Sequence, residues 1–133
     1  MLTLISREED LAVAALPEDV DFFTSADVRA AGEELLDGGC RYLVLDTTPV
    51  DYIDSTGITV LLTFWQRLEA AGGALLVAVP DEHLRWRLRT LGLTGVMPVV
   101  PTLPEAVSRA RRFRSMTRRP RREAAADLGI ETA

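Results

Sequence analysis

Asp51-Tyr52-Ile53-Asp54-Ser55-Thr56-Gly57 separates two segments of different character. Tyr42-Leu43-Val44-Leu45 leads towards it as a continuous apolar run within Arg41 to Asp46, the pattern of a buried strand. From Gly57 to Ala71 the pattern becomes helical, with Ile58, Leu61, Leu62, Trp65 and Leu68 on one stripe and Thr59, Thr63 and Gln66 towards solvent. The heptapeptide is therefore a strand-to-helix junction. The first backbone N–H groups of a helix lack intrahelical partners. Asp54 or Ser55 can cap them. Ser55 then sits at the positive end of a helix dipole, where an added phosphate is well placed. Alone, Asp54 to Gly57 also spell an ordinary helix cap.

Upstream, Leu2-Thr3-Leu4-Ile5 and Leu11 to Leu16 read as two short strands joined by the polar turn Arg7 to Asp10, a hairpin. Pro17-Glu18-Asp19 ends the second. In the junction Asp21-Phe22-Phe23-Thr24-Ser25, Thr24 or Ser25 caps a helix carrying Val28, Ala31, Leu35 and Leu36, which Gly38-Gly39 stops. Inward packing is the common fate of Phe, whereas an exposed Phe22 would be a partner anchor. Downstream, Ala74 to Val79 is a buried strand closed by Pro80. Asp81 caps a helix with Leu84, Leu88 and Leu91 at helical spacing and Trp86 off that face. Val96 to Val100 is a last short strand, which Pro98 suits to an edge. Thr102 caps a final helix with Leu103, Ala106, Val107, Ala110 and Phe113 inward.

The order ββαβαβαβα predicts an α/β fold: a mostly parallel sheet with right-handed crossovers, in which only the opening hairpin is antiparallel. The 133 residues, 47% hydrophobic, suit one domain with a sizeable core. We place it at 1–114. Beyond Ser115 the apolar periodicity stops, and 115–133 reads as an Arg-rich disordered tail.

Charge is uneven. Residues 1–107 hold 17 acidic residues and 7 Arg, whereas 108–122 hold 8 Arg and no acid. No apolar run approaches the roughly 20 residues of a membrane span. Glu8, Glu9 and Asp10 stand where a signal peptide needs a basic start, so a cytoplasmic location is expected. The single Cys40 rules out an internal disulfide and, following a Gly-Gly turn, reads as a structural or incidental thiol. No metal-ligand spacing occurs, and nothing calls for a cofactor. Asp46, Asp51 and Asp54 read as turn and cap residues. An enzyme using Ser55 as nucleophile needs a base behind it. The only histidine, His83, lies beyond Pro80 on another predicted helix.

Val44-Leu45-Asp46, Val50 and Ile53-Asp54-Ser55-Thr56-Gly57-Ile58 together resemble the core signature of the STAS family, the anti-sigma factor antagonists. Leu91-Gly92-Leu93 and Pro104-Glu105-Ala106-Val107 continue the likeness, which covers roughly residues 2 to 113. The resemblance implies the STAS-type fold. It also implies that Ser55, the serine directly after the aspartate, is phosphorylated by a partner kinase. Asp21 and Thr24 match the family's aspartate and threonine at the start of the first helix, near that serine. The implied docking surface takes in Asp21, Phe22, Thr24, Asp54, Ser55, Thr56, Gly57 and Thr59. Two positions depart from the pattern: Glu18 and Thr59 stand where glycines are common.

The resemblance thus implies a non-enzyme. It is an antagonist that, unphosphorylated, binds an anti-sigma factor with serine kinase activity and so frees a sigma factor; phosphorylated on Ser55, it lets go, and a serine phosphatase resets it. Two other readings are a non-switching STAS scaffold in a signalling or transport assembly, and nucleic-acid binding through the Arg tail.

Overall fold

The computed structural model describes residues 1–127, with their side chains through Thr117. Strands β1 (Thr3–Glu8) and β2 (Leu11–Ala15) form the expected antiparallel hairpin. A two-residue strand, β3 (Asp19–Val20), precedes helix α1 (Ser25–Asp37). Strand β4 (Tyr42–Asp46) and a second two-residue strand, β5 (Tyr52–Ile53), lead to helix α2 (Ser55–Ala70). Strand β6 (Ala74–Ala78), helix α3 (Glu82–Thr90), strand β7 (Val99–Val100) and helix α4 (Leu103–Asp127) complete the chain.

The main sheet has the order β1-β2-β4-β6-β7, and every pair after the hairpin is parallel. In register, Val13 lies beside Val44 and Val44 beside Leu76. Because side chains alternate along a strand, Ala12, Ala14, Leu43, Leu45, Leu75 and Val77 feed one core with α1, α2 and α3. Leu11, Val13, Tyr42, Val44, Leu76 and Ala78 feed a second with α4, whose Ala106 and Ala110 are fully buried. Central strands are thus covered on both faces, which is why they read as unbroken apolar runs. Among the described residues β7 pairs only with β6, in keeping with Pro98 immediately before it.

Four details differ from the expected pattern. First, β3 and β5 form a separate two-stranded parallel ladder pairing Asp19 with Tyr52 and Val20 with Ile53. Two residues are too short to show a period in the sequence.

Second, α2 buries Gly57, Val60, Leu61, Phe64 and Leu68, leaving Ile58, Leu62 and Trp65 on its half-buried flank. That face follows i, i+3, i+4, i+7, i+11, but its first member is a glycine that no apolar count registers. Gly32 of α1 completes the contact: a Cβ there would lie 2.2 Å from the Phe64 ring, so the ring occupies the space a side chain would fill.

Third, Leu91 is 60% exposed. It is the C-cap of α3, and Gly92 at φ +78 turns the chain so that Leu93 goes inward instead. The expected strand from Val96 shrinks accordingly to Val99–Val100, after a 3-10 turn at Leu93–Gly95.

Fourth, α4 does not stop near residue 114 but runs on to Asp127. The remainder of the expected tail, 128–133, lies outside the described residues. Thr102 caps α4 as expected, its hydroxyl accepting the Glu105 N–H at 3.2 Å.

Candidate functional site

α2 begins where β5 ends, and Asp54 is its cap. The Asp54 backbone is extended, and its Oδ1 accepts the Gly57 N–H at 3.1 Å. Of the two capping candidates, the aspartate takes the role. Ser55 is the first residue of the helix and is exposed. Among the described residues no side chain hydrogen-bonds to its hydroxyl, and its carbonyl accepts the Thr59 hydroxyl at 2.9 Å. His83 stacks on Trp86 with 6.0 Å between ring centres, so the histidine is engaged on the surface of α3.

The other carboxylate oxygen of Asp54 reaches across to the start of α1, where Oδ2 accepts the Phe22 N–H at 3.2 Å. One side chain thereby ties the cap of the Ser55 helix to the loop between β3 and α1. That loop is cross-braced within itself. Asp21 Oδ1 accepts the N–H groups of Phe23 and Thr24 at 2.9 and 3.1 Å. The Thr24 hydroxyl donates to the Asp19 carbonyl at 2.7 Å and accepts the Asp21 N–H at 3.1 Å. Thr24 occupies the cap position of α1 but forms no side-chain cap bond to the helix; Asp21 supplies the turn, and the threonine stitches it back to β3. Asp21 and Thr24 are half-buried and shape the loop.

The loop's outcome is two bare rings. Phe22 is 73% exposed and Phe23 85%, set edge to face at 5.5 Å between centroids. Full burial of one Phe is worth about 1.5–3 kcal/mol, so a braced loop that forgoes two such burials presents a preorganised apolar projection. Sequence reasoning left Phe22 open and missed Phe23. The available signal was the adjacency itself, because one short turn rarely directs two consecutive rings into one core.

Of the remaining predicted site residues, Thr59 is exposed and Thr56 half-buried. Both line a groove of about 140 Å3 between α1 and α2, with Arg29 and Thr63 among its other walls. Gly57 lies beneath the helix and is buried. A Cβ there would sit 2.2 Å from the Val20 carbonyl oxygen, so only glycine lets α2 approach β3 this closely. Arg87 of α3, unsuspected from the sequence, donates to the Ile53 carbonyl at 3.2 Å and braces the residue before the cap. Asp46 makes a turn with Thr48, accepting its N–H and its hydroxyl at 3.0 and 2.6 Å. Cys40 is buried, and burial pushes its thiol pKa up, the setting of an inert packing residue. No helix among the described residues is long and apolar enough to cross a membrane.

A five-stranded, mostly parallel sheet opened by a hairpin, with an exposed serine at the start of the aspartate-capped α2, goes with the class: the chain belongs to the STAS domain family, whose model matches residues 5–106. Among individual proteins it is similar to the anti-sigma factor antagonist BtrV of Bordetella bronchiseptica, with 26% identity over 99 residues, 74% of this chain and 85% of BtrV. Its fold is similar to that of the Bacillus anti-sigma factor antagonist SpoIIAA. The unphosphorylated form gives a TM-score of 0.70 at 21% identity, covering 84% of this chain and 96% of SpoIIAA. The phosphorylated form gives 0.64 at 22%, covering 82% and 98%. A sulfate transporter family protein from Wolinella succinogenes shares the fold at TM-score 0.68 and 19% identity, covering 83% of this chain and 92% of that one.

Proposed function

We propose that the chain is an anti-sigma factor antagonist that switches partners through phosphorylation of Ser55. The observation that carries this reading is the division of labour at the head of α2. Asp54 does the capping, and Ser55 is exposed, its hydroxyl in no hydrogen bond among the described residues. Unphosphorylated, the chain binds an anti-sigma factor that is also a serine kinase, and a sigma factor goes free. The kinase transfers phosphate to Ser55 and then lets go; a serine phosphatase resets the site. The likeness to SpoIIAA, solved in both phosphorylated and unphosphorylated forms, supports the same reading.

A phosphate adds about 1.5–2 negative charges. At the first turn of a helix these face the positive dipole end, so α2 stays folded. The change acts outward. The new charge appears beside Asp54, on a face that also carries the exposed Asp19 of the β3–β5 ladder and the exposed Glu18 and Asp51 that precede its two strands. A partner seated over Ser55, Thr56, Thr59 and the Phe22 projection then meets bulk, unpaired charge and repulsion.

The test uses a cognate kinase with ATP, expecting one phosphate on Ser55, and calorimetric titration of variants against that kinase. Ser55→Ala leaves the cap intact, so stability stays within about 0.5 kcal/mol and binding persists. Ser55→Asp folds equally well but binds clearly more weakly, also at physiological salt, because a contact-range clash is screened less than a surface field. Phe22→Ala weakens binding by about 2 kcal/mol or more if the ring is an anchor, with little change in stability. Equal affinity for wild type, Ser55→Ala and Ser55→Asp would sink the switch. The shared fold of the Wolinella transporter-family protein favours a second reading, a non-switching STAS module of a larger assembly, which predicts that equality.

A further inference from the structure

Two surface features at opposite ends of the molecule complement each other. The first is the Phe22–Phe23 projection beside the carboxylates of Asp19 and Asp51, which form no ion pair among the described residues. The second lies on α4. Arg109, Arg112, Phe113 and Met116 follow i, i+3, i+4, i+7, so they share one helix face. They line a cleft of about 260 Å3, two of its walls apolar side chains and two arginines. Met116 is 63% exposed. Arg109 and Arg112 form no ion pair among the described residues, unlike Arg111 and Arg114, which bind Glu8.

A single copy cannot close this contact on itself. β2 runs between the two ends: the turn before it, at Glu8 and Asp10, meets Arg114 of α4, whereas the phenylalanine loop follows its far end. The projection also belongs to the α1–α2 side of the sheet, and α4 covers the other side. We propose that the occupant of the α4 cleft is a second copy of this chain, its Phe22–Phe23 pair seated between Arg109 and Arg112, so that the protein self-associates head to tail. Arginine over an aromatic face, methionine sulfur against a ring edge and guanidinium–carboxylate pairs at the rim are each favourable contacts. The contact is heterologous, so copies add in a row rather than closing as a symmetric dimer. It covers the loop that Asp54 ties to the Ser55 helix, and it needs neither kinase nor phosphate.

Sedimentation equilibrium of the full chain tests this. The average mass should rise above the monomer with concentration and fall back as salt is raised. Phe22→Ser/Phe23→Ser removes the projection, and Arg109→Glu/Arg112→Glu spoils the cleft. All four positions are surface or cleft-rim residues, and thermal melts verify folding. Each double variant alone should remain monomeric at every concentration. Mixed one to one, they should regain association, because one retains the cleft and the other the projection, and growth should stop at about twice the monomer mass. A wild type that stays monomeric throughout overturns the proposal, as does a mixture that stays monomeric. A monomeric wild type that instead binds duplex DNA, with binding lost in Arg109→Glu/Arg112→Glu, would assign the cleft to nucleic acid.

Discussion

Gly57 shows how much one missing side chain can govern. It lies in the first turn of α2, where the cap, the helix and the β3–β5 ladder converge, and the Val20 carbonyl oxygen fills the place of its Cβ. The obstacle is backbone, which cannot swing aside as a flexible side chain does. Gly57→Ala should therefore cost about 1–3 kcal/mol, the range for overpacking a tight site, and not the gain in helix propensity that alanine brings on an open helix surface. A thermal or urea melt measures it; a stabilised Gly57→Ala would show that α2 shifts freely from β3. Because Asp54 bonds to both the Gly57 and Phe22 N–H groups, displacing the start of α2 should also loosen the aromatic loop. The neighbouring Ser55 hydroxyl carries no such structural duty, which is why its variants report on binding rather than folding.

α4 has two parts with different roles. From Leu103 to Phe113 it is, among the described residues, the only helix packed on its face of the sheet, through Ala106, Val107 and Ala110. Its alanines let the helix lie close over Val13, Val44 and Leu76. Among the residues whose side chains are described, Phe113 is the last to pack against this core, and the helix continues to Asp127. Deleting residues 115–133 should leave the thermal midpoint almost unchanged, since the described core residues of α4, through Phe113, and the Arg111 and Arg114 pairs remain. A loss of several kcal/mol would mean that the extension packs on the domain and that the boundary at 114 is misplaced. The same deletion removes Met116 from the α4 cleft and should weaken self-association, a readout independent of stability.

Across the whole molecule, Glu8 links the two ends of the chain. It stands at the end of β1, against Arg111 and Arg114 of α4. The Arg111 hydrogen bond, opposed by some desolvation and aided by both guanidinium charges, holds its carboxyl below the ordinary glutamate range. A depressed carboxyl pKa means that the unfolded chain binds the proton more readily, so stability rises with pH through that range. The contribution is fully present above the unfolded-state pKa and is lost as pH falls through the folded one. Glu8→Gln should flatten this part of the acid-side stability profile while leaving neutral-pH melts little altered, because exposed ion pairs contribute modestly. Unfolding curves at successive acidic pH values, wild type against Glu8→Gln, check this; parallel profiles would show that the pair carries no linkage.

The sequence alone determined the alternation of main-sheet strands with helices, the mostly parallel sheet, the opening hairpin, the inward face of α4 and the position of Ser55 at a helix start. Each is a local signal: an apolar run, a period or a capping residue within a few positions. Tertiary structure decided what depends on two distant segments meeting. Asp54 rather than Ser55 caps α2, because Asp54 holds the extended backbone of the cap position with Ser55 already in the helix, and its second oxygen is tied to the distant Phe22 N–H. The inward face of α2 turns towards Val60 and Phe64, because Gly32 of α1 leaves room for the Phe64 ring and Gly57 of α2 itself lets the helix close on Val20. β3 and β5 exist only as each other's partners. Phe22 and Phe23 are exposed because braces from Asp21, Thr24 and Asp54 hold their loop away from the core. Hydrophobicity marks which residues gain by burial, but contact geometry between remote segments decides which of them achieve it.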